Sequence, residues 1–213
     1  MYIAIIIILS YIIGSFPTSI ILGKTLKGID VRDYGSGNAG ATNAFRVFGW
    51  KIGLITAIVD IFKGFVATFW IAQLGSENIE SMMLIAGASA ILGHTFTIFA
   101  GFRGGKGVAT ATGMLIALFP IALPICFVVF LITIFITGQV AIGSMLASIT
   151  LPILLAIMKF YLGMDISNYF FYFSLVIPIF IVFTHRSNIQ KLIDGTEESD
   201  ERLMIFKRKN RNK

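Results

Sequence analysis

Thirty residues without a single charge, Val108 to Thr137, constrain this chain more than any other stretch. A backbone crossing lipid has no water to satisfy its N–H and C=O groups, so such a run must be helical. It is long for one crossing and short for two. Pro120 and Pro124 stand near its middle, where proline breaks or kinks a helix. Five further apolar runs accompany it: Met1–Leu22, Lys51–Gln73, Ser81–Ala100, Val140–Phe160 and Tyr169–Phe183. Of 213 residues, 56% are hydrophobic and 13% charged. A soluble domain could not solvate that surface, so the chain reads as an all-α integral membrane protein.

Charge placement gives an orientation. No Lys or Arg precedes Lys24, whereas Lys24, Lys27 and Arg32 follow the first run. The N-terminus is therefore expected outside and the next loop inside. Ser76–Glu80 is acidic and reads as external. The tail from His185 carries Lys191, Arg202, Lys207, Arg208, Lys209, Arg211 and Lys213 and belongs in the cytoplasm. A single crossing of Val108–Thr137 would leave that tail outside. A fold-back near Pro120–Pro124 brings every basic segment inside, with short fourth and fifth helices and seven transmembrane helices in all. The alternative is one re-entrant segment. A kink is expected at Gly14-Ser15-Phe16-Pro17. The chain forms one membrane-embedded domain, with polar loops at about 28–50, 100–107 and 185–197 and a charged tail at 198–213. The net charge of +6 then reads as contact with anionic lipid rather than nucleic acid.

This topology gathers three polar islands on the cytoplasmic face. The first is GSGNAGATN (Gly35–Asn43), followed by Arg46. Ser36, Asn38, Thr42 and Asn43 offer neutral polar groups, and Arg46 offers a planar fork suited to phosphate oxygens. Gly40-Ala41-Thr42-Asn43 is expected to open a short helix. The second island, GFRGGKG (Gly101–Gly107), places four glycines and two cations in seven residues. Inward-turned N–H groups of Gly104, Gly105 and Gly107, the charge of Lys106 and the start of a helix at Val108 would together suit an anion. Two readings of this loop stand: a phosphate cradle at the membrane surface, or a solvated basic turn. The third island is HRSNIQKLIDGTE (His185–Glu197). His185 and Asn188 share a face if the last helix continues. His can move a proton near neutral pH, and Asn can orient a hydroxyl or support an oxyanion. Gly195 reads as a turn, and Glu197 as a carboxylate tying an Arg or Lys of a neighbouring island.

Other features have structural readings. Asp60 and Lys63, three apart in an apolar run, must pair. His94 reads as a packed helix residue and Cys126 as a small packing residue. The P-loop pattern fails, because Gly107 follows Lys106 where Ser or Thr should stand. No HExxH motif or Cys/His cluster suggests a metal, and no GxSxG suggests a hydrolase elbow. The His with an Asp five positions later, used by acyl-CoA-dependent glycerol acyltransferases, is also missing: Phe99 follows His94 at that spacing, and Gln190 follows His185. The residues alone admit two functional classes, an enzyme and a small phosphate or organic-anion transporter. Polar islands on one face and no detectable repeat favour the enzyme.

Taken jointly and in order, GSGNAGATN, GHTFTIFAGFRGGKGVAT (Gly93–Thr110) and HRSNIQKLIDGTE resemble the three signature motifs of the bacterial acyl-phosphate:glycerol-3-phosphate acyltransferases of the PlsY type. The resemblance covers nearly the whole chain. It implies a seven-helix protein of the bacterial cytoplasmic (inner) membrane with a cytoplasmic active site. It implies transfer of a fatty acyl group from a long-chain acyl phosphate to the 1-hydroxyl of glycerol 3-phosphate, giving lysophosphatidic acid and phosphate in the first step of phospholipid synthesis. It implies no cofactor and no metal, and functional coupling to the enzyme that makes acyl phosphate. Ser36, Asn43 and Arg46 would line the substrate pocket, and Lys106 with Gly104, Gly105 and Gly107 would form the phosphate cradle. His185 and Asn188 would sit at the reacting groups, with Glu197 in a supporting role. The family often carries a polar residue around Ala141; here Ser144 stands nearby as a candidate for substrate binding. Position 39 is Ala where many members have Pro, which predicts a less rigid first loop.

Overall fold

Apolar runs that must satisfy their own backbone become helices, and the described residues form ten α-helices and no strand. The structure, a computed structural model, describes residues 2–75, 78–199 and 204. Apart from Lys191, the tail cations on which the orientation leaned, and Ser76 and Glu77 of the acidic loop, lie outside the described residues. Two units, Met1–Pro120 and Ile121–Lys213, are taken separately.

The first unit holds α1 (Tyr2–Gly14), α2 (Thr18–Lys27), α3 (Ala41–Phe48), α4 (Trp50–Phe69), α5 (Ile79–Thr95) and α6 (Val108–Leu118). The expected kink is a true break at Ser15–Pro17. Breaking a helix in lipid frees carbonyls that need donors, and the fold supplies them. Lys63 Nζ donates to the Phe16 carbonyl at 3.1 Å, and the Thr97 hydroxyl donates to that of Ser15.

Lys63 also meets Asp60 at 2.8 Å, so the pair expected from their spacing forms. Both side chains are almost fully buried. Removing one partner of such a pair costs about 3–5 kcal/mol, because the other charge is left uncompensated.

Helices here approach closely through small residues, the usual device where lipid offers no hydrophobic drive. A methyl group on Gly14 would lie 2.1 Å from the Ala90 carbonyl, seating α1 on α5. One on Gly113 would lie 1.9 Å from the Ile61 carbonyl, seating α6 on α4. Polar residues such as Ser10, Thr56, Asp60 and Thr68 are buried, whereas Ile5, Ile8, Ile12, Ile58 and Phe62 face outward. That inversion suits a lipid solvent.

The second unit holds α7 (Ala122–Thr137), α8 (Val140–Ala156), α9 (Asn168–Thr184) and α10 (Arg186–Ile193), with a π-helical turn over Ile157–Tyr161 after α8. α8 packs on both α7 and α9. The thirty-residue run is indeed interrupted: α6 stops at Leu118, and α7 starts at Ala122, just past Pro120. Pro124 is the third residue of α7, where its missing N–H is not needed. Cys126 is buried in α7.

Among the described residues, four segments are long and apolar enough to cross a membrane: Tyr2–Lys27, Trp50–Leu74, Ile79–Ala100 and Val140–Tyr161. α9 with α10 makes a fifth if that bent pair counts as one span. At ~1.5 Å per residue, α6 reaches about 17 Å, short of a ~30 Å hydrocarbon core.

Candidate active site

The first loop is held from within. Asn43, on the expected helix α3, is buried, and its side chain faces the protein rather than solvent. Its Nδ2 lies 3.0 Å from each of the Val31, Tyr34 and Asn38 carbonyls, and its Oδ1 accepts from the Ser36 N–H at 2.9 Å. The polar atoms expected to meet a substrate thus bind the loop to itself. Ser36 and Asn38 are half-buried, while Thr42 and Arg46, one turn apart on α3, are exposed. Ala39, the departure from the family's Pro, is buried, and its carbonyl accepts from Ser19 Oγ at 2.7 Å. That bond anchors the loop to α2.

Ahead of the loop, Asp30 caps the short turn Val31–Asp33, accepting from the Arg32 N–H, and pairs with the Arg32 guanidinium at 2.8 Å. The remaining Arg32 arm donates to the Ala100 carbonyl at 2.8 Å, at the doorstep of the second loop. The first two islands are therefore physically tied. The sequence reading missed this: Arg32 counted only as a cation marking the inner face. Its signal was the Asp-x-Arg spacing ahead of a glycine-rich stretch.

The Arg32 guanidinium pulls the Asp30 carboxyl from its ordinary 3.8 down to about 2, against the opposing effect of burial. A depressed carboxylate stabilises above its unfolded value and loses that contribution as pH falls through the folded one. Thermal unfolding in detergent should show no Asp30-dependent change from pH 8 to 5. The stability difference between the parent and Asp30→Asn should then shrink between about pH 4 and 2. A gap that stays constant over that range would remove the clamp.

The second loop turns back on α5. The Gly104 N–H donates to Thr95 and the Gly105 N–H to His94, both at 3.1 Å. These two amides therefore do not face an anion as the sequence suggested. The last carbonyls of α5 need donors, and the loop provides them. Both glycines are required for space: a methyl on Gly104 would lie 2.0 Å from the His94 carbonyl, and one on Gly105 would lie 2.0 Å from His94 Nε2. Gly107, at φ 84°, is the N-cap of α6. Lys106, half-buried, thus stands immediately before a helix N-terminus. The first N–H groups there lack intrahelical partners and carry about half a positive charge.

In the second unit the last helix does not continue. It bends by 58° between α9 and α10, with His185 at the junction. His185 and Asn188 are joined by the bend: the His185 carbonyl accepts from the Asn188 N–H at 2.9 Å. His185 is buried, with Nδ1 2.7 Å from the Ile181 carbonyl. A carbonyl only accepts, so Nδ1 carries a hydrogen in this contact. Asn188 Nδ2 donates to Glu197 at 2.7 Å, so the contact of Glu197 is this amide rather than the cation expected. Gly195 forms the expected turn, at φ 69°. Ser144 is buried on α8, its hydroxyl donating to the Val140 carbonyl at 2.9 Å.

Comparison with known proteins agrees with these motifs. The family model for glycerol-3-phosphate acyltransferase matches residues 4–195. A glycerol-3-phosphate acyltransferase of Chlorobaculum tepidum is 45% identical, over 96% of this chain and 97% of its own. That of Chlorobium chlorochromatii is 44% identical over 90% of this chain and 94% of its own. Among solved structures, PlsY (YgiH), an integral membrane glycerol 3-phosphate acyltransferase, matches in its glycerol 3-phosphate form with a TM-score of 0.84 and 32% identity. That match covers 94% of this chain and 96% of the other. The lysophosphatidic acid form matches with a TM-score of 0.81, also at 32% identity. Motifs, helices and relatives agree over nearly the full length, and the chain belongs to the glycerol-3-phosphate acyltransferase family of the PlsY type.

Proposed function

We propose that this protein moves a fatty acyl group from acyl phosphate to the sn-1 hydroxyl of glycerol 3-phosphate, releasing phosphate and lysophosphatidic acid. The observation carrying the reading is the second loop: a lysine at a helix N-terminus, on a backbone pinned to α5 by Gly104 and Gly105. Such a site suits a phosphate without a metal. Its donors are Lys106 and the amides of Gly107 and the first turn of α6, while Gly104 and Gly105 hold the shape. Arg46, with Ser36, Asn38 and Thr42 beside it in the first motif, is assigned to phosphate, and Asn43 to holding that motif together. Ser144 is assigned to substrate binding, and His185 and Asn188 to the reacting groups.

The acceptor hydroxyl attacks the acyl carbonyl carbon, the bond from that carbon to the phosphate oxygen breaks, and phosphate leaves with its charge held. The hydroxyl proton goes to His185 or to a phosphate oxygen of the donor. An acyl phosphate is already activated, so no covalent enzyme intermediate is required. Holding the two reactants together supplies about 7–11 kcal/mol of the barrier. The proposed topology has seven crossings, with the N-terminus outside and the motif loops in the cytoplasm of the bacterial inner membrane. Coupling to the enzyme that makes acyl phosphate belongs to the same reading.

The test is phosphate release from palmitoyl phosphate in detergent micelles on addition of glycerol 3-phosphate. A transporter would release none. In that assay His185→Ala should lose about 10²-fold or less if the donor phosphate takes the proton, and far more if His185 is the base.

A further inference from the structure

The buried cluster beneath the second loop is left unused by the reaction as described. Asp60 is 1% exposed, Lys63 5% and His94 6%. Asp60 Oδ1 accepts from Lys63 at 2.8 Å and from the Thr18 hydroxyl at 3.1 Å, and it lies 3.7 Å from His94 Nδ1. Lys63 is held in turn by the Phe16 carbonyl at 3.1 Å. The imidazole is thereby fixed on one edge by an ion pair anchored to α4 and to the break between α1 and α2.

Its other edge meets Gly105. The three atoms nearest a methyl group on Gly105 are all in the His94 ring: Nε2 at 2.0 Å, Cε1 at 2.8 Å and Cδ2 at 3.0 Å. The His94 carbonyl also accepts from the Gly105 N–H. One residue therefore sets both the height and the tilt of the peptide just before Lys106. Gly105 does not have a positive φ, so space alone demands glycine there. Gly104 differs, because its nearest neighbour is the His94 main chain, with the carbonyl oxygen at 2.0 Å.

We infer that His94, braced by Asp60 and Lys63, is a positioning residue: a strut that holds the glycine loop in the shape that receives the phosphate of glycerol 3-phosphate. The inference rests on the proposed role of that loop. It requires no contact between His94 and substrate.

The experiment is a double-mutant cycle in detergent-solubilised protein, with KM for glycerol 3-phosphate and kcat measured separately. His94→Ala should raise KM about tenfold and leave kcat within about threefold, since uniform binding is lost rather than transition-state contact. Gly105→Ala should raise KM by more. The combination should match His94→Ala alone, because the offending ring is gone, whereas independent effects would multiply. Gly104→Ala should gain no relief from His94→Ala, as its obstacle is backbone.

Multiplying effects for Gly105→Ala and His94→Ala would overturn the strut, and so would a parental KM in Gly105→Ala alone. The second outcome needs no His94 variant, so a folding failure of His94→Ala leaves the inference exposed to refutation. Parental turnover in Lys106→Ala would instead overturn the proposed role of the loop, and thus separates the two failures.

Discussion

Lys106→Ala is expected to lose about 10²–10³-fold or more in glycerol 3-phosphate-dependent phosphate release, while inserting and folding like its parent. The expectation follows from where the charge sits. Lys106 is the last residue before the N-cap of an eleven-residue helix, so its ammonium adds a full charge to the partial charge of the helix end. A cation that grips the phosphate of glycerol 3-phosphate also positions the attacking hydroxyl, so its loss costs orientation in the transition state as well as binding. Lys106→Arg should recover only part of the rate, because a planar guanidinium does not reproduce a point charge in a half-buried position. Arg46→Ala belongs with it, as the cation assigned to phosphate in the first motif. Initial rates of phosphate release, normalised to protein recovered as a monodisperse peak, are the measurement. Parental turnover in Lys106→Ala would end the cradle assignment.

Asn43→Ala should collapse the first motif. The side chain bridges three carbonyls and one N–H, and is 1% exposed. Each net hydrogen bond contributes about 1 kcal/mol, and groups left unpaired cost more, so the loop should lose on the order of 3 kcal/mol of local stability. Asn43→Asp should fail as well, since a carboxylate can accept from Ser36 but cannot donate to Val31, Tyr34 or Asn38. Limited proteolysis is the decisive readout, with new cleavage between Tyr34 and Gly40 expected in both variants. A variant that loses activity with an intact, protease-resistant loop would return Asn43 to direct substrate contact.

The membrane helices were legible because lipid leaves the backbone few options, and their ends fall near the edges of the apolar runs. The interruption of Val108–Thr137 was legible from Pro120, and the start of α3 from the glycine at its N-cap. The site was less so. A glycine-rich loop permits many paths, and nothing in GFRGGKG alone says that two of its amides will bond back to α5. The inward turn of Asn43 depends on carbonyls from three separate positions, which no local pattern encodes. The bend at His185 has neither proline nor glycine to mark it; it becomes visible only as α9 ends and α10 sets off at 58°. Asp60 and Lys63 were readable as a pair, whereas the ring of His94 between that pair and Gly105 required three dimensions.

The bond from Arg32 to the Ala100 carbonyl bears on how such a protein can be re-engineered. It welds two stretches that lie far apart along the chain into one exchangeable part. A chimaera that imports either stretch from a relative inherits half of a joint, and grafts that carry both stretches together keep it whole.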